Sequence, residues 1–122
     1  MNKSQLIASL DPFTDAYLIA ALWTSTDDDY RPLNASYTVA DLALETLQQA
    51  LADCKAFQTE HYELIKADLR QAGHDFWLTR NQRDGGFWAG AWPEEDGKKL
   101  TEAADRYGTI DFYVGADGQI HS

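Results

Sequence analysis

"HDFWLTRNQRDGGFWAGAW", residues 74–92, is the stretch whose reading decides the fold. It holds three of the chain's four tryptophans, two phenylalanines and two arginines. "HDFWLTRN" is aromatic and compatible with a strand. "QRDGG" offers the Asp-Gly and Gly-Gly pairs that tolerate the positive φ of a hairpin turn. "FWAGAW" then alternates Phe87, Ala89 and Ala91 against Trp88, Gly90 and Trp92, and Pro93 ends it. The pattern predicts a β-hairpin with Phe76, Leu78 and Phe87 in the core. Trp77 and Trp88 are expected as cross-strand neighbours, with Arg80 or Arg83 stacked over them.

Working outward, Asp11-Pro12 offers an N-cap and a first-turn proline, and "FTDAYLIAALW" predicts a helix over residues 13–23. Residues 24–37 are polar, carry Pro32 and Asn34, and are expected as a loop. Thr38, followed by Asp41, caps a helix predicted over about 39–56, where Leu42, Thr46, Leu47, Ala50, Leu51, Cys54 and Phe57 recur at helical spacing. A third helix is expected over about 59–71, with Thr59 as its cap and Gly73 as its stop. "EEDGKKLTEAADRYG", residues 94–108, predicts a helix with acidic residues in its first turn and Gly108 past its end. "TIDFYVGADGQIHS" predicts a closing hairpin with Ala-Asp-Gly in its turn. The order implies a single α+β domain over 1–122: N-terminal helices plus a small antiparallel sheet from two C-terminal hairpins with an intervening helix.

Twenty acidic side chains against ten basic ones give a net charge of -10. Duplex DNA and anionic membranes, which draw on clustered Lys and Arg, are disfavoured as partners. An acidic surface is either a solvated surface that aids solubility or one that imitates the charge of nucleic acid or meets a basic partner. Cys54 is the single cysteine, so no internal disulfide is expected, which fits a cytosolic setting. Neither a leader pattern nor a membrane-spanning apolar run is read in the sequence.

No metal or cofactor site is expected. His61, His74 and His121 are scattered, and no Cys or His pair has zinc-ligand spacing. "DDDY" at 27–30 lacks the alternating ligands and central glycine of a calcium loop. "GADGQ" lacks the Gly-Lys-Ser/Thr end of a phosphate loop. The loose quartet His74, Asp75, Arg80 and Asp84 is the one set that acid–base chemistry would draw on.

Two surfaces are candidates for binding. The first is the aromatic stretch, where Trp77, Arg80, Asn81, Arg83, Trp88 and Trp92 have the composition of a binding hot spot. The competing reading makes Arg80 and Asn81 a hydrogen-bonded strand end and turn. The second is the loop triplet Asp27, Asp28 and Asp29.

"AGHDFWLTRN", four residues, then "GFW" resembles a family of small uncharacterised proteins encoded mostly by phages and phage-like elements. "ALWTSTDDD", "PLNASYTVADLA", "ADCKAFQ", "LTEAADRYG" and "DFYVGADGQI" extend the resemblance over most of the chain. In that family the turn often reads Gly-His-Gly-Ala before Gly-Phe-Trp, with Asp after it. This chain has Gln82, Arg83, Asp84 and Gly85 there, and Ala89 after Trp88. The resemblance implies a phage or mobile-element setting and supplies no catalytic role. The expectation is a non-enzymatic cytosolic accessory protein that binds a host protein or complex, with interference in host DNA processing or defence as its sharper form. The alternative is a single-stranded nucleic-acid module that stacks bases on Trp77 and Trp88 near Arg80 and Arg83. An enzyme built around His74 comes third.

Overall fold

The computed structural model describes residues 1–122. A short helix α1 (Lys3–Ala8) opens it, closed by a capping box between Asn2 and Gln5. Helix α2 (Pro12–Thr24) starts where the sequence places it. Asp11 accepts the Thr14 N–H at 3.1 Å and the Thr14 hydroxyl at 2.7 Å, so two donors of the first turn are satisfied. Thr38 and Asp41 also form the expected capping box, but it closes a single 3-10 turn, Val39–Asp41. Another such turn, Leu33–Ala35, lies inside the expected loop.

Most of the two helices predicted over 39–56 and 59–71 is one helix, α3 (Leu44–Ile65), while residues 69–71 open the next. Thr59 is an exposed interior residue of α3. His61 departs from helical geometry at φ -119° and ψ 16°, which bends the last turn. The break comes later. Asp68 accepts the Gln71 N–H at 3.1 Å and starts α4 (Leu69–Arg80).

Helix α4 corrects the sequence reading at its centre, since "HDFWLTR" is helical and no hairpin spans 74–92. Gly73 lies inside α4 and is the point where it crosses α2, not a helix stop. A β-carbon there would overlap the Phe13 carbonyl oxygen and stand 2.8 Å from its carbon. Eight of the twelve residues of α4 are buried, including Asp75, Thr79 and Arg80. A helix enclosed on nearly every side has no polar face, so the period by which helices are recognised is missing.

Residues 81–93 form turns and bends, where "FWAGAW" was expected to be a returning strand. They fold back on α4 through the Phe87 N–H, which donates to Thr79 Oγ1 at 3.0 Å, and the Trp92 indole N–H, which donates to Asp75 at 2.7 Å. Helix α5 (Glu94–Asp105) follows Pro93 as expected, with Glu94, Glu95 and Asp96 in its first turn and Gly108 beyond its end at φ 74°. It packs on α4 and α3.

The closing hairpin pairs β1 (Tyr113–Val114) with β2 (Ile120–His121) in antiparallel register, Tyr113 opposite His121. The fold is therefore α+β, with a two-stranded sheet from one hairpin instead of two. Ile120 also bridges to Leu42, and its carbonyl accepts the Ala43 N–H at 2.9 Å, which docks the sheet on the start of α3.

One continuous core joins these elements. Its centre is aromatic: Phe57 stacks on Phe76 at 4.3 Å between centroids, and Phe13, Tyr17, Phe87 and Tyr107 surround the pair. Phe76, Leu78 and Phe87 are core residues as the sequence predicts. Each buried aromatic ring contributes about 1.5–3 kcal/mol through area removed from water, and favourable ring pairs add about 1 kcal/mol more. No helix is long and apolar enough to cross a membrane.

Candidate functional site

The nine residues singled out in the sequence fall in four places. Two of them, Trp77 and Arg80, belong to the core. Trp77 is 1% exposed. Its ring packs edge-on against Tyr17 at 5.3 Å, and its N–H donates to Thr24 Oγ1 at 2.7 Å. It is no cross-strand neighbour of Trp88, because successive residues of a helix point in different directions and neither segment is a strand.

Arg80 is the only buried cation. Its guanidinium donates to Asp53 Oδ2 at 2.9 Å, to Tyr17 Oη at 3.2 Å, and to the carbonyls of Gly108 at 2.9 Å and Tyr107 at 3.2 Å. It also lies 5.6 Å from the ring centroids of Phe76 and Tyr107. One side chain thus ties α4 to α2, α3 and the end of α5. Arginine suits the place because its planar fork serves several acceptors at once. Burial pushes the Tyr17 phenol well above its usual range, so it remains a neutral acceptor here. Arg80 is structural, and its donors do not face solvent as a stacking platform requires.

Asn81 caps α4 with one end of its amide and ties it to the 109–112 segment with the other. Nδ2 donates to the Trp77 carbonyl at 3.0 Å, and Oδ1 accepts the Ile110 N–H at 2.9 Å. With Arg83 and the rim of Trp77 it lines a polar cleft of about 420 Å³ walled by Ser25, Asp111 and Phe112. Arg83 is exposed there and has no acidic partner.

Asp27, Asp28 and Asp29 line a neighbouring cleft with Tyr37 and Tyr113. They are not equivalent. Asp27 Oδ1 accepts the backbone N–H of Asp29 at 2.8 Å and of Arg31 at 3.0 Å, which organises the turn. Asp29 pairs with Arg31 at 2.9 Å in full solvent, a contact of about 0–1 kcal/mol. Asp28 has no partner and is exposed.

Trp88 and Trp92 line a third cleft, of about 680 Å³, between the 87–92 segment and α5. Trp88 is 50% exposed. Trp92 is half-buried and held: Asp75, fully buried, receives its N–H on Oδ2 and takes Gln71 Nε2 at 2.8 Å on Oδ1, with His74 Nδ1 2.9 Å away. Sequence reasoning missed Asp75 as the anchor of this loop. Its partners lie four residues before it, one before it and seventeen after it, and only a helix folded against the loop brings the three together.

No protein-family model matches the chain, and no curated protein and no solved structure matches it.

The acid–base quartet is dispersed. His74 and Asp75 touch, but Asp75 is occupied on both oxygens, Arg80 is committed to Asp53, and Asp84 is exposed outside all of these contacts. His121 does not meet His74. Its Nε2 lies 3.0 Å from Asp117 across the terminal hairpin. No three His, Cys, Asp or Glu side chains cluster closely enough to hold a metal. Burial raises the Cys54 thiol well above its usual range, so it is a poor nucleophile where it stands.

Proposed function

We propose that this chain is an acidic accessory protein of a phage or similar mobile element that acts in the host cytosol by binding a host protein or complex. The observation that carries the reading is Trp88, a half-exposed indole beside the fixed Trp92, on a molecule of net charge -10. A rigid aromatic anchor next to an open cleft is what binding hot spots are made of. The phage setting rests on the resemblance of "AGHDFWLTRN" and "GFW", and interference with DNA processing or defence is its sharper form.

The single-stranded nucleic-acid reading is weaker. It needs two indoles and two arginines on one face, and Trp77 and Arg80 are in the core. Trp88 and Arg83 remain, in different clefts.

Capture from host extract tests the proposal. Binding lost on Trp88→Ala, with the melting temperature retained, supports it. Capture unchanged by Trp88→Ala overturns the assignment of this surface. Salt-sensitive fluorescence quenching by an oligonucleotide, lost in Arg83→Ala, would restore the alternative.

A further inference from the structure

The cleft between the 87–92 segment and α5 has two unlike walls. One is aromatic: Trp88 and Trp92 above the buried ring of Phe87, which meets Trp92 edge-on at 5.8 Å. Trp92 cannot swing away without leaving the buried Asp75 short of a hydrogen bond. The other wall is a charged face of α5, where Glu94, Lys98 and Glu102 stand four residues apart and so share one side of the helix. No two of these three pair with each other or with any other ion within 4 Å. Gly97 brings the walls together, since a β-carbon there would stand 2.7 Å from the Phe87 carbonyl oxygen.

From this placement we infer that the cleft takes the arginine or lysine side chains of a basic segment of a partner protein. An indole face attracts a cation through its quadrupole, and carboxylates standing opposite add direct Coulomb attraction. An arginine satisfies both walls, stacking on the ring and forking to a carboxylate. An anionic segment would meet two free glutamates and the field of a molecule of charge -10. The cleft, at about 680 Å³, has room for several side chains, so the occupant is a short stretch of chain. Lys98 opposes the cation, which gives the inference a signature: removing its charge should tighten binding, and removing either glutamate's should weaken it. The inference rests on the binding-protein reading and adds the chemistry of the partner.

The test is an indole N–H titration by ¹⁵N-edited NMR, in which the four tryptophans of the full chain report separately. The probes are a short arginine-rich peptide, the same peptide with citrulline for arginine, and a leucine-rich peptide of equal length. The expected result is movement of the Trp88 and Trp92 signals with the arginine peptide alone, while buried Trp77 stays still. Trp88→Ala should weaken binding about fivefold, the equivalent of an exposed cation–π contact of about 1 kcal/mol. Glu94→Gln with Glu102→Gln should weaken it, Lys98→Gln should tighten it, and Asp27, Asp28 and Asp29 changed to Asn should leave these two shifts in place. Equal shifts with citrulline, shifts only with the leucine peptide, or no response to Lys98→Gln would overturn the cationic occupant. Those results leave the binding-protein reading standing, because that reading fails separately, if the parent chain captures no host protein at all.

Discussion

Gly73→Ala is the sharpest single test of the architecture. In a hairpin fold Gly73 would be the exposed end of a helix, and alanine in that left-handed position would cost about 1 kcal/mol. In the observed fold it is where the backbones of α2 and α4 touch. The new β-carbon would overlap the Phe13 carbonyl oxygen and lie 2.8 Å from its carbon, against an ordinary carbon–carbon contact of about 3.5–4.0 Å. The atom it meets is backbone inside α2, so no side chain can step aside. The helices must part by about 1 Å, which loosens Phe76 and Trp77 against Phe13 and Tyr17. Overpacking of this kind costs about 3 kcal/mol, and the better helix propensity of alanine returns about 1 kcal/mol. The net loss is about 2 kcal/mol, a fall of about 1 M in the urea midpoint for a slope near 2 kcal/mol/M. Equilibrium urea unfolding followed by tryptophan fluorescence measures it. A midpoint equal to the parent's would refute the crossing and the helical assignment of residues 69–80 with it.

Three further outcomes follow from the contacts described. Arg80→Met should cost about 3–5 kcal/mol by thermal melting, since it strands the Asp53 carboxylate and two carbonyls, and adding Asp53→Leu should recover part of the loss. Gln82 stands at φ 56°, in the left-handed region that disfavours side chains, so Gln82→Gly should raise stability by about 1 kcal/mol in the same assay. His61 has its Nε2 buried without a hydrogen-bond partner, and burial, helped by the Arg106 charge, holds its pKa below the ordinary 6.5 against Glu60, which raises it. Because the folded pKa is the lower one, the unfolded chain binds the proton first. Its contribution to stability should be full above pH 6.5 and fall as the pH drops through the folded value, so His61→Phe should flatten the slope of urea midpoints taken from pH 7.5 to 5.

The sequence by itself determined the elements whose ends carry their own chemistry. Asp11-Pro12 starts α2 because a carboxylate and a fixed φ act locally, whatever packs on the helix afterwards. The acidic first turn of α5, Gly108 behind it and the Ala-Asp-Gly turn before β2 are local in the same way, as is the -10 charge. What tertiary structure alone decided is the middle. "HDFWLTR" sets two bulky aromatics, a leucine and the β-branched Thr79 in succession, which reads as a strand when the neighbours are unknown. It is a helix because α2, α3, α5 and the 81–93 segment leave it almost no exposed face, and a helix without a polar face has no 3.6-residue signature to display. The same enclosure turned the candidate site inside out. Arg80 and Asp75 are charged residues of a kind that is normally exposed, and nothing along the chain says that Asp53 will neutralise the one or that Trp92, Gln71 and His74 will saturate the other. Those partners lie as far as 27 residues away in sequence, and a buried charge is tolerable only once they have been brought within hydrogen-bond distance.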